Sequence, residues 1–370
     1  MRPACPPPAA PQGRPPRARP TPTWAALAPW TALVLSALLY ALPQPDLRAE
    51  EPAAPVQPVS PPAPSLPPAD PLVVGTFELQ HLTSVVDGDT LRVLGQAPIR
   101  VLCLDCEEVF HAAADRAAAE VDFDAYARAK RGTSPVPVKF GTPAGAAATE
   151  FVRAFLEGVE RVRLERDEVG GHDVDAYERR LAHVLVLRAT GEQNLAVEVV
   201  RAGHSPYFVK YGRSRRFHAE FVAAQAQARA ALRGIWGAQG PRHYPDYDER
   251  LAWWEQRALQ LDFWRALPAA PTRIELGTEQ ASERLMASVG QVVVVFGAAG
   301  RMRLDAWPRL IWLAHKRGAD LTLVVRDAEV WAALDLDTLA RRFVTVTGPV
   351  SLYQGRPQIE ITDPLQVSTR

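Results

Sequence analysis

The sequence predicts an α+β protein, mainly β, built from two small β-barrels with helices behind a single N-terminal transmembrane helix. Short strand-like segments with few helices between them occupy residues 72–237, which is typical of a small barrel. A second series of strand-like segments fills residues 271–370. A run of 19 residues without a charged side chain, 24–42, is long enough to span a bilayer as a helix.

The N-terminal segment predicts a membrane anchor. Residues 1–23 are proline-rich and carry four arginines and no acidic residue, so we expect a disordered cytoplasmic tail. Acidic residues follow the apolar run, and this charge order places the rest of the chain across the membrane, in the periplasm or outside the cell. A proline-rich linker, 43–71, comes next. Cleavage of 24–42 as a signal peptide, which gives a secreted protein, is the alternative.

The first folded unit, 72–237, combines strand and helix patterns. The helices are expected to end at glycines, which favour the backbone conformation of a helix C-terminus. Residues 107–140 are rich in alanine and give no clear pattern. The predicted order is strands at 72–88, 89–95 and 99–105, a helix at 144–158, strands at 161–168 and 180–188, and helices at 194–203 and 214–237.

The stretch SVVDGDTLRV places two carboxylates, Asp87 and Asp89, around Gly88 inside an apolar strand pattern. One interpretation is a hairpin turn, because Asp-Gly is a common turn dipeptide. The other is a metal or phosphate site at a strand end. Asp87 and Asp89 are two residues apart, so along a strand their side chains face the same side.

Further carboxylates and arginines follow this stretch. Asp89 and Asp105, if brought together, offer the oxygen ligands that calcium prefers. A neighbouring carboxylate such as Glu108 can act as general base on a water molecule. Arg100 and Arg179 offer planar donors that match a phosphodiester and stabilise charge on phosphorus. These residue types suit phosphodiester hydrolysis, although carboxylate–arginine pairs are also common structural ion pairs.

The order of the motifs resembles the thermonuclease, or staphylococcal nuclease-like, family over residues 77–237. Five stretches occur in family order: VVDGDTLRV, IRVLCLDCEEV, DAYERRLAHVLV, NLAVEVVRAG and AQARAALRGIW. The resemblance implies a five-stranded barrel of the oligonucleotide/oligosaccharide-binding (OB) type with three helices. It also implies calcium-dependent cleavage of DNA or RNA.

The resemblance implies roles for nine residues. Calcium would be bound by the carboxylates of Asp89 and Asp105 and by the carbonyl of Cys106, and Asp87 would support this metal site. Arg100 and Arg179 would bind the scissile phosphate, and Glu108 would act as general base or position the water. Tyr177 and Tyr211 would contact a terminal phosphate or nucleotide.

Three positions depart from the family pattern. Cys106 and Glu107 replace threonine and proline, which removes a rigid residue and places a negative charge beside Glu108. Glu178 replaces a glycine, and its carboxylate could pair with Arg179 and compete with phosphate. The stretch 109–142 is longer than usual. A catalytically impaired scaffold that binds nucleic acid or protein is therefore the alternative function.

The remaining sequence predicts a connector and a second barrel. Apolar residues at helical spacing within 238–270 predict an amphipathic helix. The strand-strand-strand-helix-strand-strand order of 271–370 resembles the OB fold, whose members bind single strands on one sheet face. A structural or protein-docking module is the equal alternative. The residues of the predicted face are Trp312, His315, Lys316, Arg317, Tyr353 and Arg356.

Net charge and cysteine content argue against two functions, sequence-independent coating of DNA and redox chemistry at a cysteine pair. A net charge of 0 argues against sequence-independent coating of DNA, but it allows a local basic site. Cys103 and Cys106 form a C-x-x-C motif in a stretch predicted to be extended, where residues three apart point to opposite faces. We therefore predict packing and no redox pair. The combined hypothesis is a membrane-anchored, calcium-dependent nuclease with no evident protein partner.

Overall fold

Two β-sheets and nine α-helices make up the part of the chain that the computed structural model describes, which is residues 70–79, 84–171, 173–175, 177–313 and 321–369. The strands are β1 (Val73–Glu78), β2 (Thr90–Leu91), β3 (Ile99–Val101), β4 (Arg161–Glu165), β5 (Arg180–Arg188), β6 (Gly191–Asn194), β7 (Arg273–Glu275), β8 (Val292–Arg303), β9 (Arg309–Leu313), β10 (Leu321–Val325), β11 (Phe343–Pro349), β12 (Ser351–Tyr353), β13 (Arg356–Ile361) and β14 (Val367–Ser368). The helices are α1 (Ala113–Val121), α2 (Phe123–Arg131), α3 (Pro143–Phe155), α4 (Leu195–Arg201), α5 (His218–Ala230), α6 (Tyr247–Ala266), α7 (Ala281–Ala287), α8 (Ala328–Ala332) and α9 (Leu336–Arg341).

The first sheet has the strand order β1-β4-β5-β3-β2, with β6 paired to β5. β3 and β5 are parallel and the other neighbours are antiparallel. A bridge between Leu79 and Val93 joins the two ends of this order, so the sheet curves round until its ends meet. The mixed α+β arrangement is consistent with the predicted OB-like fold. The sixth strand, β6, was not predicted because its sequence GEQN has no apolar residue.

The core of the first sheet follows from strand alternation. Val162 and Leu164 of β4 and Val184 and Val186 of β5 are fully buried. Helices α3 and α4 cover the sheet with small and branched apolar residues, among them the fully buried Ala148. We conclude that the hydrophobic pattern alone specifies which face of each strand points inward.

The strand β3 ends at Val101, four residues before the predicted end. Cys103 has φ 64°, a left-handed conformation that turns the chain out of the sheet. Cys103 and Cys106 are both free thiols, as predicted. The segment is not extended throughout, contrary to the prediction, because the chain bends at Cys103. Both side chains pack against the first core.

The stretch after Glu108 contains two short helices, α1 and α2, in a region for which no secondary structure was predicted. Asp122 separates them, and its carboxylate accepts a hydrogen bond of 2.9 Å from the backbone N–H of Ala125. Phe123, Tyr126 and Phe140 form a small core of their own with aromatic residues that precede and begin α6. The insertion is therefore packed against the connector.

The connector contains the single helix α6, as predicted. Trp254 belongs to the first core, whereas Leu261 and Trp264 pack with Phe296 and Phe343 of the second sheet. The rings of Trp264 and Phe296 are stacked with centroids 4.9 Å apart. With Tyr247 in the aromatic core of the insertion, this one helix thus contributes to three hydrophobic cores.

The second sheet contains the other eight strands in the order β12-β13-β10-β9-β8-β11-β14, with β7 beside β8. Strands β8, β9 and β10 form an antiparallel meander, and β13 then pairs parallel to β10. Helices α8 and α9 lie in the chain between β10 and β11. This order is compatible with the OB-like prediction.

The described residues contain no helix that is both long and apolar enough to cross a membrane. The predicted tail, anchor and nearly all of the predicted linker lie outside the residues that the structure describes. The anchor at 24–42 therefore stays a prediction.

Candidate active site

The Asp87–Asp89 stretch is the tip of a hairpin. The carboxylate of Asp87 accepts a hydrogen bond of 3.0 Å from the backbone N–H of Asp89. Gly88 is required here by close packing, since a Cβ atom would lie 2.8 Å from both Cys106 and Ala148. The turn therefore presses against the segment that carries the next predicted site residues.

The carboxylates of Asp89 and Asp105 meet at one guanidinium, that of Arg100. Arg100 Nη2 lies 2.9 Å from Asp105 Oδ1, and Arg100 Nη1 contacts Asp89 Oδ2. The same Asp89 oxygen accepts a hydrogen bond of 3.2 Å from the backbone N–H of Cys106. These side chains are largely buried, with 12% of Arg100 and 7% of Asp105 exposed, so they form the floor of the site.

Arg179 joins this floor through a hydroxyl. Its Nη1 donates to Thr90 Oγ1 over 3.1 Å, and Thr90 Oγ1 donates to Asp89 Oδ1 over 3.1 Å. Arg179 Nε also donates to Asp175 Oδ2 over 2.8 Å. The expected competitor, Glu178, is exposed and adopts φ 62°, and Arg179 forms an ion pair with Asp175.

Glu108 stands at the rim beside a lysine that the motifs did not include. Lys139 Nζ lies 3.2 Å from Glu108 Oε1 and 2.8 Å from Asp105 Oδ1. The backbone of Glu108 is tied to the residue that precedes α3, because its carbonyl accepts from the N–H of Thr142 over 3.0 Å. Gly145 allows this approach, since a Cβ atom there would lie 2.1 Å from the carbonyl oxygen of Glu108.

Glu107 points away from the site, contrary to the expectation that its charge would lie beside Glu108. Its carboxylate is buried and accepts from Thr142 Oγ1 at 2.5 Å, from the N–H of Tyr244 at 2.9 Å and from Tyr247 Oη at 2.6 Å. It thus connects the site segment to the start of α3 and to the connector. These bonds fix the backbone where the family has a proline.

Burial and the basic side chains act on the floor carboxylates in opposite directions. Burial raises the pKa of Asp89 above its usual value, although Arg100 and Lys139 oppose the shift. Burial also acts to raise the pKa of Asp105, but Lys139 and Arg100 outweigh it and the pKa is lowered. The carboxylates in turn raise the pKa of Lys139 against its burial. Asp105 and Lys139 are therefore held as an ion pair.

The two tyrosines predicted to contact the substrate, Tyr177 and Tyr211, lie beside different basic residues. Tyr177 is exposed, and the guanidinium of Arg179 lies 5.5 Å from its ring centroid. Tyr211 is also exposed and lies beside Lys210, whose charge lowers the pKa of Asp105. The structure therefore places both tyrosines next to basic residues of the site.

Calcium was expected at Asp89, Asp105 and the carbonyl of Cys106. The donor chemistry is suitable, since all three are oxygens. In the arrangement described, Arg100 contacts one oxygen of each carboxylate and Lys139 contacts the same oxygen of Asp105, so calcium at these oxygens would compete with both cations. Among the residues that the structure describes, no group of three or more His, Cys, Asp or Glu side chains is placed to hold a metal.

The sequence did not predict that Lys139 and Thr90 belong to the site, nor that the Glu107 side chain points away from it. Thr90 follows the second aspartate directly, so its position beside that carboxylate was open to prediction. Lys139 lies within the stretch that has no counterpart in the motif order, and nothing in its sequence surroundings marks it.

The predicted face of the second sheet is partly described. The strand register places Trp312, Thr322, Gln358 and Ser351 in one cross-strand row. Tyr353 and Arg356 are two residues further along their strands and share this face, where Tyr353 is exposed. The guanidinium of Arg301 lies 4.1 Å from the ring centroid of Trp312. His315, Lys316 and Arg317 lie outside the described residues.

Comparison with known proteins agrees with the predicted resemblance. The family model for "Staphylococcal nuclease homologue" matches residues 121–238, which supports a thermonuclease-like domain in this chain. The matched range contains Lys139, Tyr177, Arg179 and Tyr211, whereas the floor residues lie before it. No curated protein matches the chain.

Proposed function

We propose that this chain hydrolyses phosphodiester bonds of DNA or RNA. The observation that carries the proposal is a continuous series of polar contacts linking the three predicted catalytic residues. It runs from Arg179 through Thr90 to Asp89, Arg100, Asp105, Lys139 and Glu108.

The arrangement suits an anionic substrate and a water nucleophile. Arg100 and Arg179 offer guanidinium donors to the oxygens of the scissile phosphate and to the charge that grows on them. Glu108, at the exposed rim, accepts a proton from the water that attacks phosphorus. The P–O bond to one nucleoside oxygen breaks, and the products are a phosphomonoester and a free hydroxyl.

The test is a cleavage assay with the full chain on single- and double-stranded DNA and on RNA. Glu108→Gln and Arg179→Ala should each slow cleavage by about 100-fold or more, since each removes a group that acts on the reacting atoms. Glu178→Gln and Arg128→Ala are matched controls, because both side chains are exposed and neither contacts the floor of the site. Both controls should cleave at the wild-type rate.

A wild-type chain that binds nucleic acid but does not cleave it would refute the proposal and favour the scaffold alternative. Each reaction is run with added calcium and with a chelator, so that the calcium requirement implied by the family resemblance is measured directly.

The second sheet is proposed to hold single-stranded substrate on the face that carries Trp312, Tyr353 and Arg356. Aromatic rings and guanidinium groups on one sheet face offer stacking and phosphate contacts. Trp312→Ala together with Tyr353→Ala should weaken binding of an oligonucleotide without changing the rate of cleavage of a bound one. A docking role for this sheet is favoured if the double variant binds the oligonucleotide normally.

The proposed location is the outer side of a membrane, with residues 24–42 as anchor. The support is the charge order around this apolar run. Protease accessibility of the folded part in intact spheroplasts tests it, and protection from the protease would contradict it.

A further inference from the structure

Lys139 is the basic residue that distinguishes this site from the motif pattern. Its ammonium group lies 2.8 Å from Asp105 Oδ1 and 3.2 Å from Glu108 Oε1. Asp105 is the carboxylate that the family resemblance assigns to a metal ion, and Glu108 is the one that it assigns to the base. One ammonium therefore bridges the two carboxylates.

The backbone on both sides of Lys139 is fixed, so the exposed side chain starts from a defined position beside the site. The backbone carbonyl of the preceding residue, Val138, accepts from the guanidinium of Arg250 on α6. The N–H and the carbonyl of the following residue, Phe140, both bond to Tyr244 Oη, at 3.1 and 3.0 Å. Lys139 is thus held over the site from both sides by the connector.

The chain itself offsets two of the three negative charges at the site. The carboxylates of Asp89, Asp105 and Glu108 are in direct contact with two cations, Arg100 and Lys139. A divalent cation brought to Asp105 would meet an ammonium already in contact with the same oxygen. Like charges at such a distance repel, and solvent screens part of this repulsion because 42% of the Lys139 side chain is exposed.

We propose that Lys139 occupies the position of a divalent cation between Asp105 and Glu108, so that calcium enters only by displacing it. The inference deepens the proposed function, because it concerns the same site, but its test does not depend on cleavage. Lys139 is then the residue that sets how much calcium the site requires.

The experiment measures calcium binding to the metal-free full chain by titration calorimetry. Lys139→Met removes the charge and keeps an unbranched chain, and we expect it to bind calcium about tenfold more tightly than the wild type, or better. Lys139→Arg keeps a positive charge and should stay close to the wild type. Lys130→Met is the matched control, because Lys130 pairs with Asp115 on the same insertion and has no contact with the site. Its calcium affinity should not change.

A second measurement uses the wild-type chain and needs no variant to fold. Lys139 is labelled with an amine-reactive acetylating reagent at increasing calcium concentrations, and the modification at Lys139 is quantified by mass spectrometry. Displacement by calcium should increase labelling of Lys139 and leave labelling of Lys130 constant.

Equal calcium affinity of the wild type and Lys139→Met would overturn the proposal, as would calcium binding with no change in the labelling of Lys139. These outcomes are independent of the proposed function. A chain that cleaves DNA and shows neither effect refutes the inference alone. A chain that shows both effects and never cleaves refutes the proposed function alone.

Discussion

Glu107 is the residue whose replacement best tests how this site is built. Its carboxylate is buried and joins three parts of the chain, at Thr142, Tyr244 and Tyr247. Two of the three donors, the N–H of Tyr244 and the hydroxyl of Tyr247, bond to the same oxygen, Oε1. We therefore compare Glu107→Gln with Glu107→Ala.

The expected difference in stability between the two variants follows from the hydrogen-bond donors that each variant leaves unpaired. Glutamine keeps an acceptor in the Oε1 position for Tyr244 and Tyr247, whereas alanine leaves both donors buried without a partner. A buried unpaired donor costs about 1–3 kcal/mol, so the alanine variant should be less stable than the glutamine variant by about 2 kcal/mol or more. Both variants remove the charge, so the cost of burying it cancels in this comparison.

The pH dependence of the wild type gives an independent check. Burial raises the pKa of Glu107 above its usual value of 4.5, and its hydrogen bonds lower it only in part. Between pH 4.5 and the raised value, the folded state keeps a proton that the unfolded state has released. The free energy of unfolding contributed by this group therefore falls as the pH rises through that window. Glu107→Gln lacks the group, so the wild type should lose stability relative to it over this range.

The assay is urea unfolding of the full chain, followed by tryptophan fluorescence at several pH values. Equal stability of the glutamine and alanine variants, within about 0.5 kcal/mol, would refute the role of Glu107 as a connection between site and connector. A wild type that gains stability relative to the glutamine variant as the pH rises would contradict the argument from burial.

Three further predictions concern Glu178, Lys210 and the two buried thiols. Glu178→Gly should raise the free energy of unfolding by about 0.5 kcal/mol, because the φ of 62° at this position suits glycine. Urea unfolding measures this free energy, and a less stable variant would contradict the prediction. Burial lowers the pKa of Lys210 from 10.5 to about 7, so the folded state binds fewer protons than the unfolded state between these values and its stability should rise with pH. Lys210→Met should lose that rise in urea unfolding at pH 7 and pH 10, and an unchanged slope would refute the assignment. Burial raises the pKa of the Cys103 and Cys106 thiols. In a Cys5→Ser variant, neither thiol should therefore react with an aromatic disulfide reagent before urea unfolds the chain. A rapid rise in absorbance in buffer without urea would contradict this.

Much of the fold was predictable because it depends on local patterns. The buried run RLAHVLVLR gave β5 with its bounds, and Asn194 and Gly203 marked the two ends of α4. The insertion was not predictable in the same way, because alanine-rich sequence is compatible with helix and with irregular structure. Its two helices pack against aromatic residues more than 100 positions later in the chain, such as Tyr244.

The sequence by itself determined the order of the motifs, the faces of the strands and the residue types of the candidate site. It did so because strand alternation and helix periodicity are properties of neighbouring residues, and because Asp89, Arg100, Asp105 and Arg179 keep the family order. Only the tertiary structure decided which groups meet. Glu107 turns toward Tyr247, 140 positions away, and Lys139 reaches Glu108 from the insertion, 31 positions away. Side chains on one short segment can face the core or the site, and packing against distant elements selects between them.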